Sequence, residues 1–292
     1  MKLVSFIAKS KKPVCGVYDR RPSYGAYSEG RIVDLGCRLG ERYPDIKALL
    51  ARGGLSDARA CLGAEPDYRE DELVFLPIIG QPGKIFCVGM NYAEKRREFG
   101  ETNDAPTLFV RFPDSQTGHA CPVLKPSHTD EFDYEGELAV VIGKAGRAIR
   151  KEDALAHVAG YSCYMDGSVR DWQHTWFTAG KNWRQTGAFG PWLVTADEIP
   201  DPQALDIRTY LNGRTVQDDN TGNMIHTIPE LIAYISTFSA LSPGDVIITG
   251  SPGSVGKKRV PPLFLKEGDV VEVEIERIGR LRNHVVKDAV AA

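Results

Sequence analysis

The segment richest in chemistry reads Asp130-Glu131-Phe132-Asp133-Tyr134-Glu135-Gly136-Glu137 and runs straight into Leu138-Ala139-Val140-Val141-Ile142-Gly143. An apolar run of that length reads as a buried strand, so the acids before it are expected to be extended. Residues i, i+2 and i+4 of a strand share a face, which puts Asp133, Glu135 and Glu137 side by side. Neighbouring carboxylates repel one another and burial raises the cost; solvent or a bound cation offsets it. An isolated acidic pair on a strand is usually a solvated edge. Here the apolar continuation carries the strand into the core. A further acid, Asp166, also closes a second apolar run, Tyr161-Ser162-Cys163-Tyr164-Met165. Glu135, Glu137 and Asp166 together would form an all-oxygen site, suited to Mg2+ or Mn2+ rather than Zn2+. Three protein ligands would leave positions open for water and substrate.

The elements that must hold these residues are mostly strands. Residues 84–88, 138–143, 161–165 and 245–249 are apolar runs of strand length, and 270–275 alternates, with Val271, Val273 and Ile275 on one face. Two helices are expected. One spans 151–158 and stops at Ala159-Gly160; the other opens with Thr227 as N-cap and Pro229 in its first turn. Residues 1–80 read as a small α/β module with strands at 4–7, 14–18 and 31–34 and helices at 43–51 and 55–62. A connector with Pro77, Gly80, Pro82 and Gly83 separates it from 81–292, where the domain boundary is expected. Many strands, few helices and no βαβ rhythm predict a mainly β, α+β fold.

Composition narrows the function classes. The chain has 292 residues, 36 Lys+Arg against 39 Asp+Glu, and a net charge of −3. That balance argues against nucleic acid as a partner, which requires a basic excess. With 42% hydrophobic and 26% charged residues it is an ordinary globular composition, not a disordered chain. No apolar run reaches the ~18 residues of a membrane-spanning helix. The opening Met1-Lys2-Leu3-Val4-Ser5-Phe6-Ile7-Ala8 is broken by Lys9, Lys11 and Lys12, so it reads as a strand rather than a leader, and a cytoplasmic setting is expected. The cysteines at 15, 37, 61, 87, 121 and 163 show no close pairing and are expected to be inert thiols.

Residues 81–292 resemble the fumarylacetoacetate hydrolase family. The resemblance rests on six motifs in order: Cys87-Val88-Gly89-Met90-Asn91-Tyr92; the acidic strand from Asp133 to Gly143; Asp166-Gly167-Ser168-Val169-Arg170-Asp171-Trp172-Gln173; Gly180-Lys181 with the segment from Gly187 to Trp192; the segment from Gly244 to Gly256; and Gly268-Asp269-Val270-Val271-Glu272-Val273. It implies a mixed β-sandwich or β-roll assembled as a homodimer, with metal ligands at Glu135, Glu137 and Asp166. The family's lysine falls on Lys181. Arg170 is implied either to hold the site or a substrate carboxylate, or to pair with Asp171. Arg111, Gln173, Thr249 and Ser251 are expected to touch substrate, with Ser251 standing where the family has threonine.

After Tyr92 the family pattern supplies a histidine and, three residues later, a glutamate, on a short helix closing over the metal. Here the glutamate is Glu98, the histidine is replaced by Lys95, and Asn91 with Glu94 fits a helix cap. Glu98 alone could activate water, Lys95 could bind a substrate carboxylate, or His119 (then His174) could replace the missing base. The resemblance implies Mg2+- or Mn2+-dependent chemistry on a 2-oxo acid through a stabilised enolate. The leading expectation is a hydrolase cleaving a C–C bond of an acylpyruvate or 2,4-dioxo acid, in aromatic or sugar-acid catabolism. The alternatives are a decarboxylase, isomerase, hydratase or lyase on a dicarboxylic 2-oxo acid, or a catalytically silent member.

Overall fold

Alternation at the N-terminus produces β1 (Lys2–Ala8), followed by β2 (Ser23–Ser28) and β3 (Arg31–Asp34). The computed structural model describes residues 1–9 and 21–289, so the expected strand at 14–18 lies outside the described residues. Helix α1 (Leu35–Leu39) starts where the Asp34 carboxylate accepts from the Cys37 amide, and α2 (Ile46–Ala51) where Asp45 accepts from Ala48. Then come α3 (Leu55–Ala60), β4 (Tyr68–Arg69), β5 (Leu73–Phe75), β6 (Ile85–Gly89), α4 (Ala93–Phe99) and β7 (Thr107–Val110). The acidic segment lies after β8 (Gln116–Thr117) and β9 (Pro122–Lys125), and forms β10 (Phe132–Asp133) and β11 (Gly136–Ile142).

The second acid terminates β12 (Val158–Asp166), after which β13 (Ser168–Val169) and the single-turn α5 (Thr178–Lys181) lead into β14 (Gly187–Thr195). The chain closes with β15 (Asp206–Leu211), β16 (Arg214–Asn220), α6 (Ile228–Phe238), β17 (Val246–Ile248), β18 (Val270–Ile275) and β19 (Gly279–Lys287). Thr227 caps α6 in a reciprocal pair with Glu230, as expected. Residues 151–157 wind as a 3-10 helix, tighter than the expected α-helix, before the chain enters β12.

One large sheet runs β4-β3-β2-β1-β14-β12-β11-β17-β6-β7, and a second runs β16-β15-β18-β19-β9. The sheet does not stop at residue 80: Leu3 of β1 pairs with Leu193 of β14. Strand β11 is buried on both sides. Leu138, Val140 and Ile142 pack with Val271, Val273 and Ile207 of the second sheet, while Ala139 and Val141 pack with Leu3, Leu49 and Ile85 on the other side. Gly136 lets the two sheets approach closely, since a Cβ there would lie 2.0 Å from Thr209 Oγ1. Gln217 of β16 seals the junction: its Oε1 accepts from the Gly136 amide and the Thr209 hydroxyl, and its Nε2 donates to the carbonyls of Pro252 and Gly253.

Strand direction gathers the site. β17 runs parallel to β6 and antiparallel to β11, and β11 runs antiparallel to β12. The start of β11, the end of β12 and the C-terminal ends of β6 and β17 therefore meet at one end of the large sheet. Among the described residues no helix is long and apolar enough to cross a membrane. Cys87 and Cys163 are buried thiols and Cys61 and Cys121 half-buried ones, as expected; Cys37 is disulfide-bonded, which corrects the expectation of thiols throughout.

Candidate active site

Glu135 precedes β11 by one residue, Glu137 lies inside it, and Asp166 ends β12 directly across, with its amide donating to the Glu135 carbonyl at 2.8 Å. The alternation read from the sequence thus turns Glu135 and Glu137 to one side, where the cross-strand partner adds the third acid. One oxygen from each lies within 4.8 Å of the others, and all three residues are buried. Asp133 does not join them. It belongs to β10, where its carboxylate accepts from the Gly256 and Lys257 amides and from Arg170 Nε.

Three buried acids this close need cations. Lys181 Nζ donates to Glu135 Oε2, Asp166 Oδ2 and Ser168 Oγ, each at 2.6 Å. Arg170 reaches Asp133 at 2.8 Å, Glu135 Oε1 at 2.7 Å and Gln173 Oε1 at 3.3 Å, not Asp171. Arg111 reaches Asp166 Oδ1 at 2.5 Å. Burial by itself would raise Glu135, but Lys181, Lys95 and Arg170 outweigh it and hold that carboxyl well below the usual range. Burial, reinforced by Asp166 and Glu135, pushes Glu137 well above it. Burial opposes the charge on Lys181, yet Asp166 and Glu135 hold its pKa above the ordinary value. Glu137 is braced by a backbone donor instead, the Gly250 amide at 2.6 Å. Gly250 has φ +99 and presses on Asn91, a conformation and an approach that a side chain would obstruct.

The donor set fits a hard dication. It is all oxygen, and its spread matches ligand shells ~4 Å across for Mg2+ and ~5 Å for larger ions. Comparison with known proteins places the chain in a family. The profile of the fumarylacetoacetate hydrolase C-terminal domain matches residues 84–286. The chain belongs to the fumarylacetoacetate hydrolase family. Human mitochondrial oxaloacetate tautomerase FAHD2A is 43% identical over 240 residues, 80% of this chain and 76% of that protein. The structure of a fumarylacetoacetate hydrolase from Exiguobacterium antarcticum superposes with a TM-score of 0.83 at 32% identity, covering 98% of this chain and 99% of that one. Maleylpyruvate hydrolase from Sphingobium, solved with manganese and pyruvate, gives 0.81 at 26% identity, covering 98% and 99%.

Against the family's lid pattern, α4 carries a lysine where histidine is usual. Lys95 is buried, and its Nζ donates to Glu135 Oε1 at 2.6 Å and to the Ser251 hydroxyl. Glu98 Oε1 accepts from the Ser254 amide at 2.7 Å, and its buried Oε2 finds no hydrogen-bond partner among the described residues. The helix begins after Tyr92 without a side-chain cap, contrary to the expected Asn91–Glu94 box. Asn91 is engaged elsewhere, donating to the carbonyls of His226 and Thr249 and accepting from the His226 amide.

The other expected residues divide. His119 is not with the carboxylates: it accepts from the Arg282 amide, packs edge-on to Phe75 and lines a separate cavity of about 560 Å³ with Glu70 and Cys121. Burial, then Arg282, lowers its pKa to about 4. His174 is exposed. All five N–H groups of Arg111 are taken, by Asp166, Gly167, Ser115 and Thr186, which makes it a brace for Asp166 rather than a substrate contact. The Thr249 hydroxyl donates to the Leu138 carbonyl within the sheet. Gln173 Nε2, buried and without a partner among the described residues, remains a free donor. Sequence reasoning missed Ser168 as a holder of Lys181 and Asn91 as the clamp between β17 and the lid. The Gly-rich stretch around Gly250 was the available signal for the amide under Glu137.

Proposed function

We propose that this chain is a divalent-metal-dependent enzyme that interconverts the keto and enol forms of a dicarboxylic 2-oxo acid. The observation that carries this reading is Lys95, an ammonium paired with Glu135 where the family's lid supplies a histidine. A lysine ammonium has donors and no acceptor, so it does not take a proton from water. Tautomerisation moves one proton and needs no water attack. The human relative's name, oxaloacetate tautomerase, supports the same reaction class.

Glu135, Glu137 and Asp166 would hold the metal. A bound Mg2+ or Mn2+ would supply Lewis acidity, stabilising negative charge on the 2-oxo group as the α-proton leaves. Glu98 Oε2 is the acceptor with free capacity: it takes the proton from the α-carbon and delivers it to the 2-oxygen, giving the enol, and the reverse transfer restores the keto form. Lys181 and Arg111 fix the ligand carboxylates, and Gln173 Nε2 offers a donor to the substrate. The family resemblance supports a homodimer as the acting unit. The mitochondrial setting of the relatives stays with them.

The test follows the ultraviolet absorbance of enol-oxaloacetate with chelator-treated protein, before and after Mg2+ or Mn2+. Metal-dependent acceleration is expected, and Glu98→Gln should slow it at least ~100-fold. No acceleration with either metal would sink the reading. Hydrolysis is the second reading, favoured by the same unpartnered Glu98 oxygen and by the hydrolase solved with manganese and pyruvate. Faster cleavage of an acylpyruvate than tautomerisation of oxaloacetate would select it.

A further inference from the structure

Four carboxylates, Asp133, Glu135, Glu137 and Asp166, and four cations, Lys95, Arg111, Arg170 and Lys181, form one buried contact set among the described residues. Their formal charges balance before any metal enters. A dication therefore makes this buried set electropositive, which favours an anionic substrate.

The four cations are not equally tied. Arg111 uses every donor on the protein. Arg170 is anchored by Asp133, which is itself held by the amides of Gly256 and Lys257. Lys181 has three oxygen partners. Lys95 has two among the described residues, and its one carboxylate oxygen, Glu135 Oε1, is shared with Arg170. It is also mounted on the seven-residue helix α4 rather than on the sheet. A metal drawing on Glu135 repels the nearest ammonium, and Lys95 is the one with the least to keep it there.

We propose that Lys95 is the specificity-determining residue of this site: a metal ion takes over its hold on Glu135, and the released ammonium receives the second carboxylate of a dicarboxylic 2-oxo acid. This inference rests on the reading of Glu135, Glu137 and Asp166 as metal ligands. Ser251, already bonded to Lys95, gives the ammonium a neighbour to turn on while it changes partner.

The experiment titrates wild type, Lys95→Met and Lys95→His with Mn2+ by calorimetry, without substrate. The Mn2+-loaded proteins are then titrated with pyruvate, which has one carboxylate, and oxaloacetate, which has two. Both variants should bind Mn2+ about five-fold tighter or more, because a competing cation is gone. Both should bind oxaloacetate at least about ten-fold more weakly while pyruvate stays within about two-fold, the loss of one charge-assisted hydrogen bond. Histidine is the family's own residue at this position, so Lys95→His carries the test if the methionine variant does not fold. Equal losses for both acids, no loss for either, or weaker Mn2+ binding would overturn the proposal while leaving the metal site intact. Wild-type protein that binds no Mn2+ would overturn the metal reading and this inference with it.

Discussion

Two groups of partnered carboxylates, one in the N-terminal layer and one at the end of the large sheet, differ in their surroundings. In the N-terminal layer, Asp34 accepts from the Ser23 hydroxyl and the Cys37 amide, while Asp67 takes Arg38 and the Asp34 amide. Asp34 caps α1, and Asp67 ties the start of that helix to the segment before β4 through the Asp34 amide and Arg38. At the end of the large sheet, Glu135, Glu137 and Asp166 cap nothing. They are brought together by register, and cations from four separate segments are needed to hold them. The first cluster stabilises the fold; the second is maintained against its own repulsion, which is the signature of a site kept for chemistry.

Removing cations should break this contrast most severely. Lys181→Met leaves Glu135 and Asp166 short of their shared partner, and loss of one member of a buried ion network costs about 3–5 kcal/mol. A large drop in melting temperature is expected together with loss of turnover. A variant as stable as wild type would show that the carboxylates do not depend on this ammonium. Removing an acid should do the opposite. Glu137→Gln deletes the carboxyl that burial and its two acidic neighbours penalise most, so metal-free stability should hold or rise while Mn2+ affinity falls by at least ~100-fold. Calorimetry and a thermal melt in chelator check both halves.

The N-terminal cluster sharpens the comparison from its own side. Asp34→Ala should cost about 1 kcal/mol in chemical denaturation, as for a lost helix cap, and leave Mn2+ affinity unchanged. The smallest effect at neutral pH concerns His119. Its folded pKa of about 4 lies below the ordinary 6.5, so the unfolded chain binds more protons between those values and stability falls as pH falls through that window. His119→Gln should flatten that part of the stability–pH curve without altering metal binding.

The convergence of Glu135, Glu137 and Asp166 was legible because strand alternation and an acid at the end of a second apolar run are local patterns. Strand 270–275 and the Thr227-capped helix were legible for the same reason. The lid was only half legible. The sequence placed Lys95 and Glu98 on one helix, but not that Lys95 would pair with Glu135, forty positions along the chain. Asn91 looked like a helix cap because its spacing to Glu94 is right, yet the adjacent parallel strand offers it the Thr249 carbonyl. Arg111 looked available for substrate because only Ser115 nearby could hold it; the partners that fix it as a brace for the site come from segments 55 and 75 residues away. His119 is the same case in reverse, a residue of suitable type that the register of β8 carries to another cavity. Long-range pairing decides these positions, and no window along the chain contains it.

The Gln217 amide has a practical corollary. One side chain from the outer sheet grips both the backbone between Glu135 and Glu137 and the turn at Pro252 and Gly253. Anyone transplanting that turn from a cousin to change what the enzyme accepts must bring along a compatible occupant of position 217, or the graft will pull Glu135 and Glu137 out of alignment as it settles.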